Sequence, residues 1–314
     1  MPDTLMQFVK DYLVRLGPNS VLVQAALRVH GLRHGYNVTF TKDSIKLRRG
    51  EREMILNKAQ YVQVPIMIEC YNLFFDTIEG RVVEGRSVLD FSQPGLQTYR
   101  KSGIAFYFPS VPEDDVVDAY VQGYMPQPGD VVWDAGAYAG ASAYFFAQMV
   151  GPGGKVYAFE PDQNNYDYLL RNIELHKLTN VIPVKMALSG SSGTAEFNMD
   201  GSMSAGLSDY LAYSKKTTFQ TVETISFEDA CAKFGGVPAY VKMDIEGAEV
   251  AMIQSALGFL KSHPVNFAIE SYHLVDGELT WKPLEKLFSS IGYEAWSSDK
   301  YGQMFTWAKP KQLI

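Results

Sequence analysis

The chain has 314 residues, 46% of them hydrophobic, and carries 28 basic against 35 acidic side chains, a net charge of −7. That length holds one α/β domain of about 190 residues with a substantial second module, and an acidic balance argues against a phosphate-binding surface, because nucleic-acid affinity comes mostly from clustered Lys and Arg. Cys70 and Cys231 lie far apart in no metal spacing, which points to a reducing compartment. No apolar run approaches the roughly 18 residues of a membrane span, and no basic-then-apolar leader opens the chain; the expected location is cytoplasmic.

Asp3 can cap a helix through Leu16 whose Leu5, Phe8, Val9, Tyr12, Leu13 and Leu16 form one stripe. With only Lys10 and Arg15 basic, the stripe reads as core or as the contact of a homodimer rather than a membrane-lying face. A second helix is predicted over Val21–His30, stopping at Gly31. Asn37–Phe40 and Ser44–Leu47 alternate as a hairpin, and Val82–Val83 and Val88–Phe91 read as short strands. His30 and His34 are four apart, but Gly31 and Gly35 interrupt any helix that would align them, so neither is read as a ligand. The aromatic stretch Gly95–Ser110 could line an acceptor pocket, although core packing is the commoner fate of such residues. We place residues 1–112 in an N-terminal α+β module that covers the acceptor or dimerises, and 113–314 in a second domain that starts with a helix over Val116–Tyr124.

The second domain is organised around Asp130 to Pro161. Val131–Trp133 is an apolar run suited to a strand buried on both faces. A small-residue turn, Asp134-Ala135-Gly136-Ala137-Tyr138-Ala139-Gly140, leads into a helix over Ala141–Val150, and Lys155–Phe159 forms a second strand ending at Glu160. Glycines in such a turn let a nucleoside approach the backbone, and a strand-end carboxylate can take two ribose hydroxyls. The spacing is G-x-x-x-G rather than the dinucleotide G-x-G-x-x-G. An acid at the first strand end would repel a pyrophosphate but suits the cationic end of S-adenosylmethionine.

Further along, Val181–Ala187 reads as a third strand, Thr194–Asn198 and Thr218–Thr224 as strands around a flexible Gly201–Gly206 stretch, and Phe227–Phe234 as a helix. Ala239–Met243 is a buried strand ending at Asp244, followed by a helix to Leu260; Val265–Ile269 is another, ending at Glu270 with His273 just beyond. A helix marked by Trp281, Leu284 and Phe288 precedes a closing strand pair, Tyr293–Trp296 and Gln303–Trp307. In an open parallel sheet, ligands lie beyond the carboxyl ends of the strands, where this reading collects Asp134, Glu160, Asp244 and Glu270. Asp244 and Glu249 could each be simple helix N-caps.

VVWDAGAYAG, VYAFEP, VKMDIEGAE and NFAIESYH, in this order, resemble the FkbM-type family of S-adenosylmethionine-dependent methyltransferases over roughly residues 128 to 309. Lys242-x-Asp244-x-Glu246-Gly247-x-Glu249 is the most specific part. The resemblance implies an α/β fold with a Rossmann-like class I sheet of seven strands, one antiparallel, and methyl transfer to oxygen. It implies that Asp134, Gly136 and Gly140, with Ala137 and Tyr138 between the glycines, hold the methionine end of the cofactor. Glu160 would hold the ribose and backbone near Ala187 the adenine. Tyr138 stands where the family often has Asn. The acceptor would be a hydroxyl of a small molecule, sugar or natural product. His273, oriented by Glu270 and with Asp244 near the methyl group, is the expected general base. The alternative makes Asp244, Glu270 and His273 ligands of a divalent cation, which we favour less. An NAD(P)-dependent oxidoreductase is disfavoured by the missing dinucleotide fingerprint, and a non-catalytic cofactor-binding protein by the retained acids and histidine.

Overall fold

The computed structural model describes residues 16–113, 117–199, 218–275 and 277–311. The described residues up to 113 belong to one compact unit and those from 117 onward to a second. Predictions for Asp3–Arg15 and for Gly201–Gly206 lie outside the described residues.

The first unit is α+β. Its sheet has the order β1-β2-β3-β5-β4, built from β1 (Asn37–Phe40), β2 (Ser44–Arg49), β3 (Arg52–Asn57), β4 (Arg81–Val83) and β5 (Arg86–Phe91), while β6 (Gly95–Thr98) and β7 (Ala105–Phe108) form a separate hairpin. The helix Val21–Arg33 does not stop at Gly31. There the absence of a side chain is what allows helix and strand to touch, since a Cβ on Gly31 would fall 2.3 Å from Val38 Cγ2. The aromatics of Gly95–Ser110 are partly core: Phe106 and Phe108 of β7 are buried on alternate positions, and Tyr99 packs edge-on against both.

The second unit holds a seven-stranded sheet of order β10-β9-β8-β14-β15-β19-β18. Its members are β8 (Val131–Ala135), β9 (Lys155–Phe159), β10 (Val181–Val184), β14 (Tyr240–Met243), β15 (Asn266–Glu270), β18 (Tyr293–Ser298) and β19 (Phe305–Pro310). β19 runs antiparallel to β15 and to β18, and every other pairing in the sheet is parallel. This is the α/β sheet with one antiparallel strand that the resemblance implies. Alternation along the strands divides the core into two layers. Trp133, Phe159, Met243 and Phe267 face the helices Phe227–Lys233, Glu249–Leu260 and Trp281–Ser290; Val132, Val156, Tyr240 and Ala268 face Ala141–Val150 and Gln163–Leu175.

Two boundaries differ from the sequence reading for local reasons. The predicted Val116–Tyr124 helix is described only over Val117–Tyr120, because the Trp307 indole donates to the Ala119 carbonyl (2.7 Å) and the Tyr240 hydroxyl to that of Tyr120 (2.7 Å), satisfying groups a longer helix would use. The third strand ends at Val184, where a turn closed by Met186 N–H on the Val184 carbonyl (2.9 Å) sends the chain elsewhere. β11 (Ala187–Ser189) then joins β12 (Gly193–Met199) and β13 (Thr218–Ser226) in a small second sheet, and β16 (Leu274–Val275) with β17 (Glu278–Leu279) makes a tight hairpin after β15. Among the described residues, no helix is long and apolar enough to cross a membrane.

Candidate functional site

Register assembles the first part of the site. In the parallel pair β8–β14, Asp134 stands directly opposite Lys242, and Lys242 opposite Ala268 on the other side. The small alanine leaves room for the lysine, whose Nζ lies 3.3 Å from Asp134 Oδ1 and donates to the Gly136 carbonyl at 2.7 Å. Ser142 Oγ donates to the other Asp134 oxygen at 2.6 Å. Asp134 is fully buried, and a buried polar group needs partners of this kind. The sequence reading had Asp134 facing the cofactor's cationic end; the structure shows it first neutralised by Lys242. A lone lysine in an apolar strand was the signal for that partner.

The turn after β8 is held by its own backbone. The N–H groups of Gly136 and Ala137 both donate to the Phe159 carbonyl (3.0 and 2.9 Å), that of Gly140 to Ala137 (2.7 Å), and that of Tyr138 to Glu160 Oε2 (2.9 Å). These four amides therefore serve the protein rather than a ligand. Gly136 has φ +78°, and a Cβ there would lie 1.8 Å from the Asp244 carbonyl oxygen. Glycine is required where the chain leaving β8 passes the end of its neighbour β14, so Gly136→Val would disturb this contact before it could test ligand binding. Gly140 (φ +85°) N-caps the helix Ala141–Val150, and Tyr138 adopts a left-handed φ of 46° without being glycine. Such strain in an ordered turn is held by its surroundings, here by the carboxyl of Glu160.

Glu160 follows β9 directly. Its second oxygen accepts from Asp162 N–H at 2.9 Å. Burial pushes its pKa up to about 8, with Asp162 adding to the rise and the backbone donors opposing it. The Asn165 side chain is a third partner, and since a carboxylate offers about four acceptor sites the group can still take a ribose hydroxyl. Ala187, the predicted adenine neighbour, begins β11 and packs in a small cluster with Val222 and Ala248 of the loop after β14.

The acceptor side departs from expectation. Glu270 does not orient His273: its oxygens go to the Tyr120 hydroxyl and to Gln303 Nε2 (2.7 Å). After β15 the chain turns, and Thr280 N–H binds the His273 carbonyl at 2.9 Å, so the ring is carried towards the segment after β14. Its Nδ1 lies 3.1 Å from Glu249 Oε1, and its Nε2 lies 3.4 Å from Glu246 Oε2 and 3.7 Å from Asp244 Oδ1. Burial disfavours the imidazolium, but Glu249 and Glu246 outweigh it and raise the ring's pKa well above its ordinary value. The ring therefore stands against Glu249 and Glu246, not against the Glu270 expected to orient it.

The carboxylates divide accordingly. Glu249 accepts the N–H groups of Ile245 (3.1 Å) and Gly247 (3.2 Å) on the oxygen that faces His273, and despite burial its pKa is lowered, chiefly by the ring. Glu246 has a left-handed φ of 56°; burial raises its carboxyl to about 7 against the pull of His273. Asp244 is raised by burial, opposed by Lys242 and His273, and Glu270 is raised well above the ordinary range by burial and by Asp244. Asp244, Glu249 and His273 each offer a ligand atom within 4.8 Å of the others, so the three groups able to share a cation include Glu249 and not Glu270.

Residues 134–295 match the Methyltransferase FkbM domain. A protein-L-isoaspartate O-methyltransferase from Aeropyrum pernix is 37% identical over 78 residues, which is 25% of this chain and 30% of that protein. The catalytic subunit of a tRNA (adenine(58)-N(1))-methyltransferase from Yarrowia lipolytica is 35% identical over 63 residues, 20% of this chain and 16% of that one. The chain thus spans less than a third of either relative. A solved FkbM methyltransferase from Methylobacillus flagellatus KT superposes with a TM-score of 0.41 at 16% identity, covering 57% of this chain and 43% of that one.

Proposed function

Because the chain belongs to the FkbM methyltransferase family, we propose that it transfers a methyl group from S-adenosylmethionine to a hydroxyl of a small molecule, sugar or natural product. The observation that supports this reading is the meeting of two unlike groups of residues at one sheet edge. Asp134–Gly140 with Glu160 offers a nucleoside-type turn, and the carbonyl of Asp244, which begins the carboxylate–histidine cluster, lies against Gly136.

When bound, the cofactor supplies an electrophilic methyl on a sulfonium. Glu160 takes the ribose hydroxyls, and the strained Tyr138 turn holds that carboxyl in place. Transfer to a hydroxyl would be an in-line displacement, the new oxygen–carbon bond replacing the carbon–sulfur bond, and its main requirement would be alignment of acceptor and cofactor by these residues. The hydroxyl proton goes to Glu246, whose left-handed backbone turns its side chain onto His273. His273 is a positioning residue that fixes Glu246 and Glu249. The stretches shared with the protein and tRNA methyltransferases are too short to carry either acceptor over to this chain.

Calorimetry with four candidate ligands tests the cofactor. S-adenosylmethionine and S-adenosylhomocysteine should bind at one site per chain, while NAD⁺ and NADP⁺ should give no heat. Nicotinamide binding alone would replace the proposal with the oxidoreductase reading.

A further inference from the structure

Hydrogen bonding does not complete the cluster around His273. Asp244 Oδ1 and Glu249 Oε2 are buried and have no hydrogen-bond partner, while the ring nitrogens of His273 face only carboxylates. The His273 side chain is 9% exposed and that of Glu249 0%. The contacts of Nε2, at 3.4 and 3.7 Å, are long for charge-assisted hydrogen bonds, which run about 2.7–2.9 Å. One ligand atom each from Asp244, Glu249 and His273 lies within 4.8 Å of the others, close enough for a single ion to draw them together.

Charge points the same way. Asp244, Glu246 and Glu249 gather around one imidazole, and the ammonium of Lys242 is held on Asp134 and Gly136. Glu249 is set in place by the N–H groups of Ile245 and Gly247 on one oxygen, which leaves the other, Oε2, as an unfilled donor. Asp244 is the most exposed of the three, with its side chain at 24%, and gives a route of entry.

We propose that Asp244, Glu249 and His273 bind one divalent cation. One imidazole nitrogen with two carboxylates suits Mn²⁺-type ions better than Ca²⁺, which prefers a larger all-oxygen shell. The inference rests on the methyltransferase reading only for the ion's use, which is to polarise the acceptor oxygen beside Glu246; binding is tested without cofactor.

The experiment titrates Mn²⁺ into the full chain after chelator treatment, reading free Mn²⁺ by electron paramagnetic resonance, with circular dichroism to confirm the fold of each variant. The wild type should take up one ion per chain. Asp244→Asn and His273→Ala should each weaken binding by tenfold or more, and Glu270→Gln should leave it within a few-fold. If His273→Ala fails to fold, Asp244→Asn and Glu249→Gln carry the comparison. No uptake by the wild type at millimolar Mn²⁺, or uptake unchanged in Asp244→Asn, overturns the site. S-adenosylmethionine binding by the same wild-type sample would show that the family reading survives such a failure.

Discussion

Glu160 is the residue at which folding and ligand binding pull in opposite directions. Its carboxyl ionises only near pH 8 in the folded protein against an ordinary 4.5, so between those values the folded chain keeps a proton that the unfolded chain gives up. Stability from this group is therefore present in full below about 4.5 and declines as pH rises through about 8. Ribose hydroxyls donate to the ionised form, so cofactor binding should expel that proton. Affinity for S-adenosylhomocysteine should rise with pH by up to about tenfold per unit below pH 8 and level off above it. Calorimetry in buffers of different ionisation enthalpy should show close to one proton released at pH 7. Glu160→Gln should flatten the dependence; an unchanged slope in that variant would assign the proton elsewhere. Lys242, Glu246 and Glu249 show why residue roles were only partly legible. All three stood in the quoted motif, but their partners depend on strand register and on a turn after β15. Closeness in sequence favoured Glu270, three residues from His273, whereas the fold gives that carboxylate to Tyr120 and Gln303.

Elements were legible where burial alone decides them. β8, β9, β14 and β15 are apolar runs buried on both faces, and their identity survives any reading of the neighbours. Boundaries were hidden where a distant side chain ends an element, as Trp307 and Tyr240 do for Val117–Tyr120. Gly31 is the opposite case: a residue that reads as a helix stop lies inside the helix because Val38 needs the space. Alanine is worth about 1 kcal/mol over glycine in a helix interior, but forcing a methyl into a packed contact costs about 1–3 kcal/mol. At 2.3 Å from Val38 Cγ2, with the Tyr36 carbonyl a further 3.2 Å neighbour, the packing cost should prevail. Gly31→Ala should lower the urea midpoint of the N-terminal unit by an amount corresponding to about 1 kcal/mol, and Gly31→Ala with Val38→Ala should recover part of it. A raised midpoint in the single variant would show that the helix moves freely from β1.

At the scale of the molecule, the strand order of the second unit brings Asp134, Glu160, Asp244, Glu270 and His273 to one sheet edge although they span 140 positions from first to last (134 to 273). Sequence pattern was enough for the middle of that sheet because β8, β9, β14 and β15 each carry an acid at or just past the strand end. The first unit was less legible, because its described strands alternate without a motif that marks a site. Methyl transfer from S-adenosylmethionine to a small-molecule hydroxyl, with Glu246 taking the proton, is the reaction proposed for this chain. The direct measurement incubates the full chain with methyl-labelled S-adenosylmethionine and cell extract, then separates small molecules, protein and RNA before mass spectrometry. Oxygen-linked label should appear in the small-molecule fraction, reduced roughly 10²- to 10⁴-fold by Glu246→Gln, the usual worth of a positioned acid–base group, with cofactor affinity retained. Label confined to protein or RNA, or undiminished transfer by Glu246→Gln, would contradict it.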